Sequence, residues 1–224
     1  MNENHCIQVN KKENQLVIAF CGPSTCGKST IIKELLNDYQ SKSQHISTVK
    51  LDNFFYSTDD LPKTELRGKL IPNKDLKQSV DWESFFQNVS DVNTPILFLD
   101  GFITFADKRS FNIIDICVSF EYNFNTDFDI ALRRRVHRKK GFENAEIPKD
   151  YLQNAFDNKV NYRCSYFHDI VWPEMIKHPE YRKPINWNKP ILTLSATNDL
   201  QNNVKSAFIF LHPFIDSHIN KKHV

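Results

Sequence analysis

Eight consecutive residues carry the clearest chemical signal in this chain: Gly22, Pro23, Ser24, Thr25, Cys26, Gly27, Lys28 and Ser29. They match the pattern G-x-x-x-x-G-K-S, a spacing that suits a polyphosphate. Gly22 and Gly27 let the backbone curl so that N–H groups between them point inward at phosphate oxygens. A helix starting at the end of such a loop adds its positive N-terminal dipole. Lys28 then has the reach for β- and γ-phosphates, and the Ser29 hydroxyl can ligate Mg2+. Two of the chain's five glycines fall in this stretch, which weighs against a plain glycine turn. Cys21 and Cys26 are read as small packing residues.

The loop needs a strand before it and a helix after it, and the neighbouring residues supply both. Leu16 to Phe20 (LVIAF) is a short apolar run that reads as a strand buried on both faces. Thr30 to Tyr39 carries Ile31, Ile32, Leu35 and Leu36 at helical spacing. Further strands are expected at 45–51, 96–99, 113–120 and 191–194, and helices at 78–89, 127–140 and 200–211. Residues 52–70 are expected to be irregular. Strands alternating with helices imply an α/β fold: a three-layer arrangement with a central parallel sheet and a small helical lid. Ligands of such sheets bind at the carboxyl ends of the strands.

Two acids are expected there. Asp52 follows the second strand, taken to neighbour the loop strand, where a carboxylate can accept a proton from a substrate hydroxyl and help hold Mg2+. Asp100 ends the ILFLD strand. No N-K-x-D guanine-reading motif is present, and 224 residues are too few for a multi-module ATPase. The residues themselves therefore imply nucleoside triphosphate binding and phosphoryl transfer to a hydroxyl.

Several stretches resemble the nicotinamide riboside kinases of the fungal type, within the wider uridine kinase-like group. They are Gly22–Thr30 (GPSTCGKST), Asp52–Phe55 (DNFF), Asp75–Trp82 (DLKQSVDW), Asp100–Phe105 (DGFITF), Arg133–Arg138 (RRRVHR) and Tyr166–Pro173 (YFHDIVWP). The resemblance spans about residues 16–200. It implies that Asp52 is the base for the ribose 5′-hydroxyl beside Mg2+. It implies that Asp75 grips the 2′- and 3′-hydroxyls and that Arg135 contacts the ribose. Arg134 and Arg138 resemble lid arginines on ATP, Asp100 an acid orienting Mg2+, and Ala196, Thr197, Asn198 and Asp199 the loop around adenine. Asn53, Phe54, Phe55, Lys74 and Phe142 fall at substrate-side positions. Asn53 replaces a second acid of the animal enzymes. Lys74 replaces a residue that is usually aromatic and stacks on the base, so Phe55 or Phe142 becomes the expected stacking face. The base stays open between a pyridine nucleoside and uridine or cytidine. A catalytically silent ATP-binding regulator is a further alternative.

Composition narrows the remaining classes. The net charge of +2 gives the whole chain no mandate for nucleic acid or a membrane. The basic stretch 133–140 (RRRVHRKK) is read as phosphate-contacting because it lies in the lid. Five cysteines without a C-x-x-C pair suggest neither a disulfide framework nor a zinc site, and reduced thiols suit a cytosolic or nuclear compartment. One domain is expected over residues 15–216, with its lid at about 133–165, between polar ends at 1–14 and 217–224. The expected cofactors are ATP and Mg2+, the partner is a small nucleoside, and the chain is expected to be a monomer.

Overall fold

The computed structural model describes residues 11–41 and 45–220. The polar ends 1–10 and 221–224, including Cys6, lie outside them. The first strand, β1 (Leu16–Cys21), runs into the loop, and α1 (Lys28–Ser41) leaves it. β2 (Ile46–Lys50) follows, then a 3-10 turn at Leu51–Phe54. β3 (Lys63–Leu66) and β4 (Lys69–Pro72) form an antiparallel hairpin. α2 (Trp82–Asp91), β5 (Ile96–Gly101), the single-turn α3 (Ser110–Ile113), β6 (Ile116–Glu121) and α4 (Phe128–His137) come next. α5 (Lys159–Tyr166) continues through a π-helical segment at Phe167–Val171 into α6 (Trp172–Lys177). β7 (Ile191–Ser195) and the long α7 (Leu200–Asn220) complete the chain.

Five parallel strands make the central sheet, in the order β2-β5-β1-β6-β7. Period-two alternation divides the side chains of β1 between two cores. Ile18 and Phe20 face the helices α1, α4 and α7 together with Phe98, Val118 and Phe120. Val17, Ala19 and Cys21 face the other layer with Leu97, Leu99 and the α2 residues Phe85 and Phe86. Burying each such phenylalanine contributes about 1.5–3 kcal/mol, so both faces of the sheet anchor the loop strand. The four described cysteines are free and buried.

Several element expectations need correction. β2 does not neighbour β1, because β5 lies between them. Residues 52–70 are not wholly irregular: Arg67 and Gly68, both at positive φ, turn the β3–β4 hairpin. α2 starts at Trp82 rather than 78, because the Asp81 side chain accepts the Ser84 N–H and caps the helix there. β6 starts at Ile116, since Ile113 ends α3. α7 passes Leu211 and continues through Pro213 to Asn220, held by buried Ala207, Leu211 and Ile215. Tertiary packing outweighs the local cost of an interior proline there. No helix among the described residues is long and apolar enough to cross a membrane.

Candidate active site

The loop between β1 and α1 takes the curled form its glycines permit. Gly22 sits at φ +146° and Gly27 at φ +99°. Thr25, at φ 72°, holds a left-handed conformation without being glycine. The Tyr122 hydroxyl, at the end of β6, donates to the Thr25 carbonyl at 3.0 Å and fixes that strained residue. A Cβ at Gly22 would stand 2.6 Å from the Phe120 carbonyl oxygen. Gly22→Ala therefore combines a clash with a disfavoured φ. We expect a loss of about 2 kcal/mol, read as a melting temperature lower by roughly 4–8 °C. An unchanged melting temperature would show that the loop does not need this geometry.

Lys28 is buried, and its Nζ donates to the carbonyls of Gly22 and Pro23, each at 2.9 Å. Ser29 Oγ donates to Asp100 Oδ2 at 2.7 Å. Asp100 is the last residue but one of β5, the strand next to β1, and is itself buried. Asp52 arrives from one strand further out, carried by the 3-10 turn after β2. It still reaches the same cleft. A hydroxyl and carboxylates are hard oxygen donors, which fits Mg2+. Among the described residues no cluster of three or more acids, histidines or cysteines could hold a metal without help.

Asp75 lies after the β3–β4 hairpin, in a loop held by buried Asn73. The Asn73 Oδ1 accepts the Asp75 N–H at 2.8 Å, and the Asn73 carbonyl accepts from Ser79 Oγ. The Tyr166 hydroxyl donates to Asp75 Oδ2 at 2.9 Å. Burial pushes the Asp75 carboxyl above the ordinary carboxylate value, while the Arg135 charge and the Tyr166 hydrogen bond pull it back. Tyr166 immediately precedes the π-helical segment, a feature often found at functional sites. Within that segment Asp169 pairs with Arg67 of the hairpin turn at 2.9 Å. The helix is thus tied to the Asp75 loop by Tyr166 and to the hairpin turn by Asp169.

The basic face of α4 closes the third side. Arg135 Nη1 donates to Ser24 Oγ at 2.6 Å, and Arg138 Nη1 reaches the same oxygen at 3.3 Å. Arg134 Nη1 donates to the Ala196 carbonyl. Arg163 of α5 adds a fourth charge, its pKa lowered by burial and further by the nearby Arg135 and Arg138. Apart from Arg163, which lies outside the lining, these groups surround one cleft of about 550 Å3. It joins the loop residues Ser24, Thr25, Gly27, Lys28, Ser29 and Thr30 to Asp52, Phe55, Lys74, Asp75 and Asp100. Arg134, Arg135 and Arg138 line it as well.

Other expected site residues fall elsewhere. Gly22, Pro23 and Cys26 shape the loop from behind. Cys26 is buried, and burial raises its thiol pKa, in keeping with a packing role. Asn53 is exposed outside the cleft wall, and Phe54 turns edge-on to Phe85 beneath α2. Phe142 packs against the α1-side core under the Arg163 guanidinium. Ala196 meets the site through Arg134, and Thr197 and Asn198 follow it beyond the cleft lining. The Asp199 side chain accepts the Gln201 and Asn202 N–H groups and caps α7. Phe102 was not singled out by sequence, yet it lines the cleft with its ring 5.9 Å from that of Phe55. Asn73, Tyr122 and Tyr166 were missed too. Phe102 and Tyr166 lay inside quoted stretches, whereas Asn73 and Tyr122 had no local signal.

Neither a protein-family model nor a curated protein matches the sequence. Solved structures do resemble the fold. One is a putative fructose transport system kinase from Silicibacter sp. TM1040, at TM-score 0.53 and 15% identity, with 81% of this chain and 91% of that one covered. Weaker likenesses are a shikimate kinase from Aquifex aeolicus (TM-score 0.40, 14% identity, 88% and 97% covered) and a sugar kinase from Janibacter sp. HTCC2649 (TM-score 0.41, 8% identity, 90% and 98% covered). At this identity the first likeness speaks for the fold alone: a parallel α/β sheet flanked by helices.

Proposed function

We propose that the protein is an ATP- and Mg2+-dependent kinase that phosphorylates the ribose 5′-hydroxyl of nicotinamide riboside, or of its acid form, to the mononucleotide. The observation that carries this reading is the single cleft in which the phosphate loop, Asp52 and the Asp75–Arg135 pair converge. Transfer of this kind needs little covalent work from the protein, so positioning and charge do most of it. The loop amides and Lys28 hold the β- and γ-phosphates. Ser29 and Asp100, with Asp52, are the residues that would hold Mg2+, which supplies charge neutralisation on the transferring group. Asp52 accepts the hydroxyl proton. Ionised Asp75 accepts from the two vicinal ribose hydroxyls, an arrangement one carboxylate satisfies. Arg135 spans from Ser24 toward that ribose. Closure of the α4–α5 region keeps out water, the competing acceptor.

The ribose grip makes a pH-dependent prediction. Ionised Asp75 binds and protonated Asp75 does not. Because its pKa is raised, nucleoside KM should climb as pH falls, starting above the range of an ordinary aspartate, about 3.9. Tyr166→Phe removes a hydrogen bond that favours the ionised form. It should raise nucleoside KM about tenfold at neutral pH and move the onset of the climb to higher pH, with ATP affinity unchanged. A KM profile identical to that of the unmodified protein would remove Asp75 from this role.

One observation keeps a second reading in play. Lys74 lines the cleft with its Nζ 5.4 Å from the centre of the Phe55 ring. A cation there is a poor neighbour for a pyridinium base, and a pyrimidine nucleoside such as uridine or cytidine carries no such charge. Steady-state assays with ATP and either nicotinamide riboside or uridine separate the two. We expect the higher kcat/KM for nicotinamide riboside, and a clear preference for uridine would overturn the assignment. ATP binding with no turnover of either would point to a regulatory ATP-binding protein.

A further inference from the structure

A second cavity, of about 450 Å3, opens at the carboxyl end of β6, between the back of the phosphate loop and residues 179–185. None of its lining residues also lines the phosphate cleft. Its walls are largely apolar, from Pro23, Phe120, Tyr122, Phe124, Pro184 and Ile185. Two polar groups on its lining stand out. Ser119 is fully buried, and its Oγ has no hydrogen-bond partner. Arg182 is 6% exposed. Its guanidinium donates from Nη2 to the Met175 carbonyl and lies 5.8 Å from the centre of the Phe124 ring. Among the described residues no carboxylate forms an ion pair with it.

A buried charge of this kind is normally paired. The nearest acids by charge, Glu180 and Glu121, make their side-chain contacts with other residues. Glu121 pairs with Lys183 at 2.9 Å, and Glu180 accepts from His178 at 3.1 Å. Burial lowers the Arg182 pKa to about 10, which leaves it cationic at neutral pH. The guanidinium has five N–H donors in a planar fork, a shape that matches a carboxylate. The charges of Glu180 and Glu121 act on Arg182 without an ion pair, so the rest of the fork is left for a carboxylate.

We propose that this cavity binds a small organic monocarboxylate with an aromatic or branched apolar body. The carboxylate sits on Arg182, and the body lies against Phe120, Phe124 and Ile185. The volume lies within the range of small-ligand pockets, about 300–1,000 Å3. Pro23 and Tyr122 connect it to the phosphate loop, since Tyr122 also holds the Thr25 carbonyl. The proposal does not depend on which nucleoside occupies the first cleft.

Calorimetric titration of the full chain with 3-phenylpropanoate and with its neutral amide tests it. One equivalent of the acid should bind, about tenfold tighter than the amide, as a charged hydrogen-bonded pair requires. Arg182 is buried, so the more informative variant is Ile185→Glu, at an exposed rim position. It should weaken acid binding about fivefold or more by like-charge repulsion and leave kinase turnover unchanged. Lys28→Ala should leave acid binding intact. Equal affinity for acid and amide, or no binding of either, would overturn the proposal. So would binding that survives Ile185→Glu but is lost in Lys28→Ala, which would place the acid in the phosphate cleft.

Discussion

Replacing Asp52 with alanine is expected to lower nucleoside turnover by about 10^2- to 10^4-fold, with ATP binding close to normal. Asp52 lies exposed on the cleft as the second residue of the turn after β2. Its charge acts on Asp75, so the two carboxylates share the acceptor side of the cleft. The phosphate-loop contacts do not involve it. Removing the carboxylate should therefore cost the proton acceptor while the loop, Lys28 and the arginines of α4 continue to hold the triphosphate. Asp52→Asn keeps the shape without the basicity and should be nearly as slow. Steady-state turnover paired with calorimetric ATP titration checks both. Turnover within a few-fold of normal in Asp52→Ala would mean that the proton leaves by another route.

Lys28→Ala should lose turnover on a comparable scale, about 10^2- to 10^3-fold, but with a different signature. Lys28 Nζ is anchored at the loop by the Gly22 and Pro23 carbonyls and is flanked by Cys26 Sγ at 3.6 Å. In the proposed reaction its charge bears on the phosphates in the ground state and on the transferring group in the transition state. ATP affinity and kcat should therefore fall together, whereas Asp52→Ala affects kcat almost alone. Lys28→Arg should not restore activity, because a planar guanidinium cannot occupy the site of a compact ammonium held by two carbonyls. Normal ATP affinity in Lys28→Ala would separate this lysine from the phosphates.

What could be read from the chain alone was what is local in it. The strand-loop-helix unit from Leu16 to Ser41 is contiguous, and its conformation follows from glycine positions, an apolar run and a helical stripe. β5 and β7 were legible as short apolar runs, β5 buried on both faces and β7 a half-exposed edge strand. The hairpin at 63–72 was not legible, because β3 and β4 mix polar and apolar residues and pair only with each other. The neighbour of β1 was misjudged, since strand order depends on how crossover helices pack and not on order in the chain. That error had a chemical consequence. It is Asp100, on the adjacent strand, that hydrogen-bonds Ser29, while Asp52 enters from a strand further away.

The sequence by itself determined that the 22–29 loop has the form of a phosphate site between a buried strand and a helix. Only the tertiary structure decided what faces it. Asp75 and Tyr166 are separated by 91 positions and Ser24 and Arg135 by 111, yet each pair is hydrogen-bonded or electrostatically joined across the cleft. Neither pairing leaves a periodic trace, because a contact made by folding distant segments constrains geometry and not local spacing. The same holds for Tyr122 supporting Thr25 and for the buried Arg182 beside its second cavity. In the proposed reaction the loop would place the triphosphate, and the fold would supply the acceptor side.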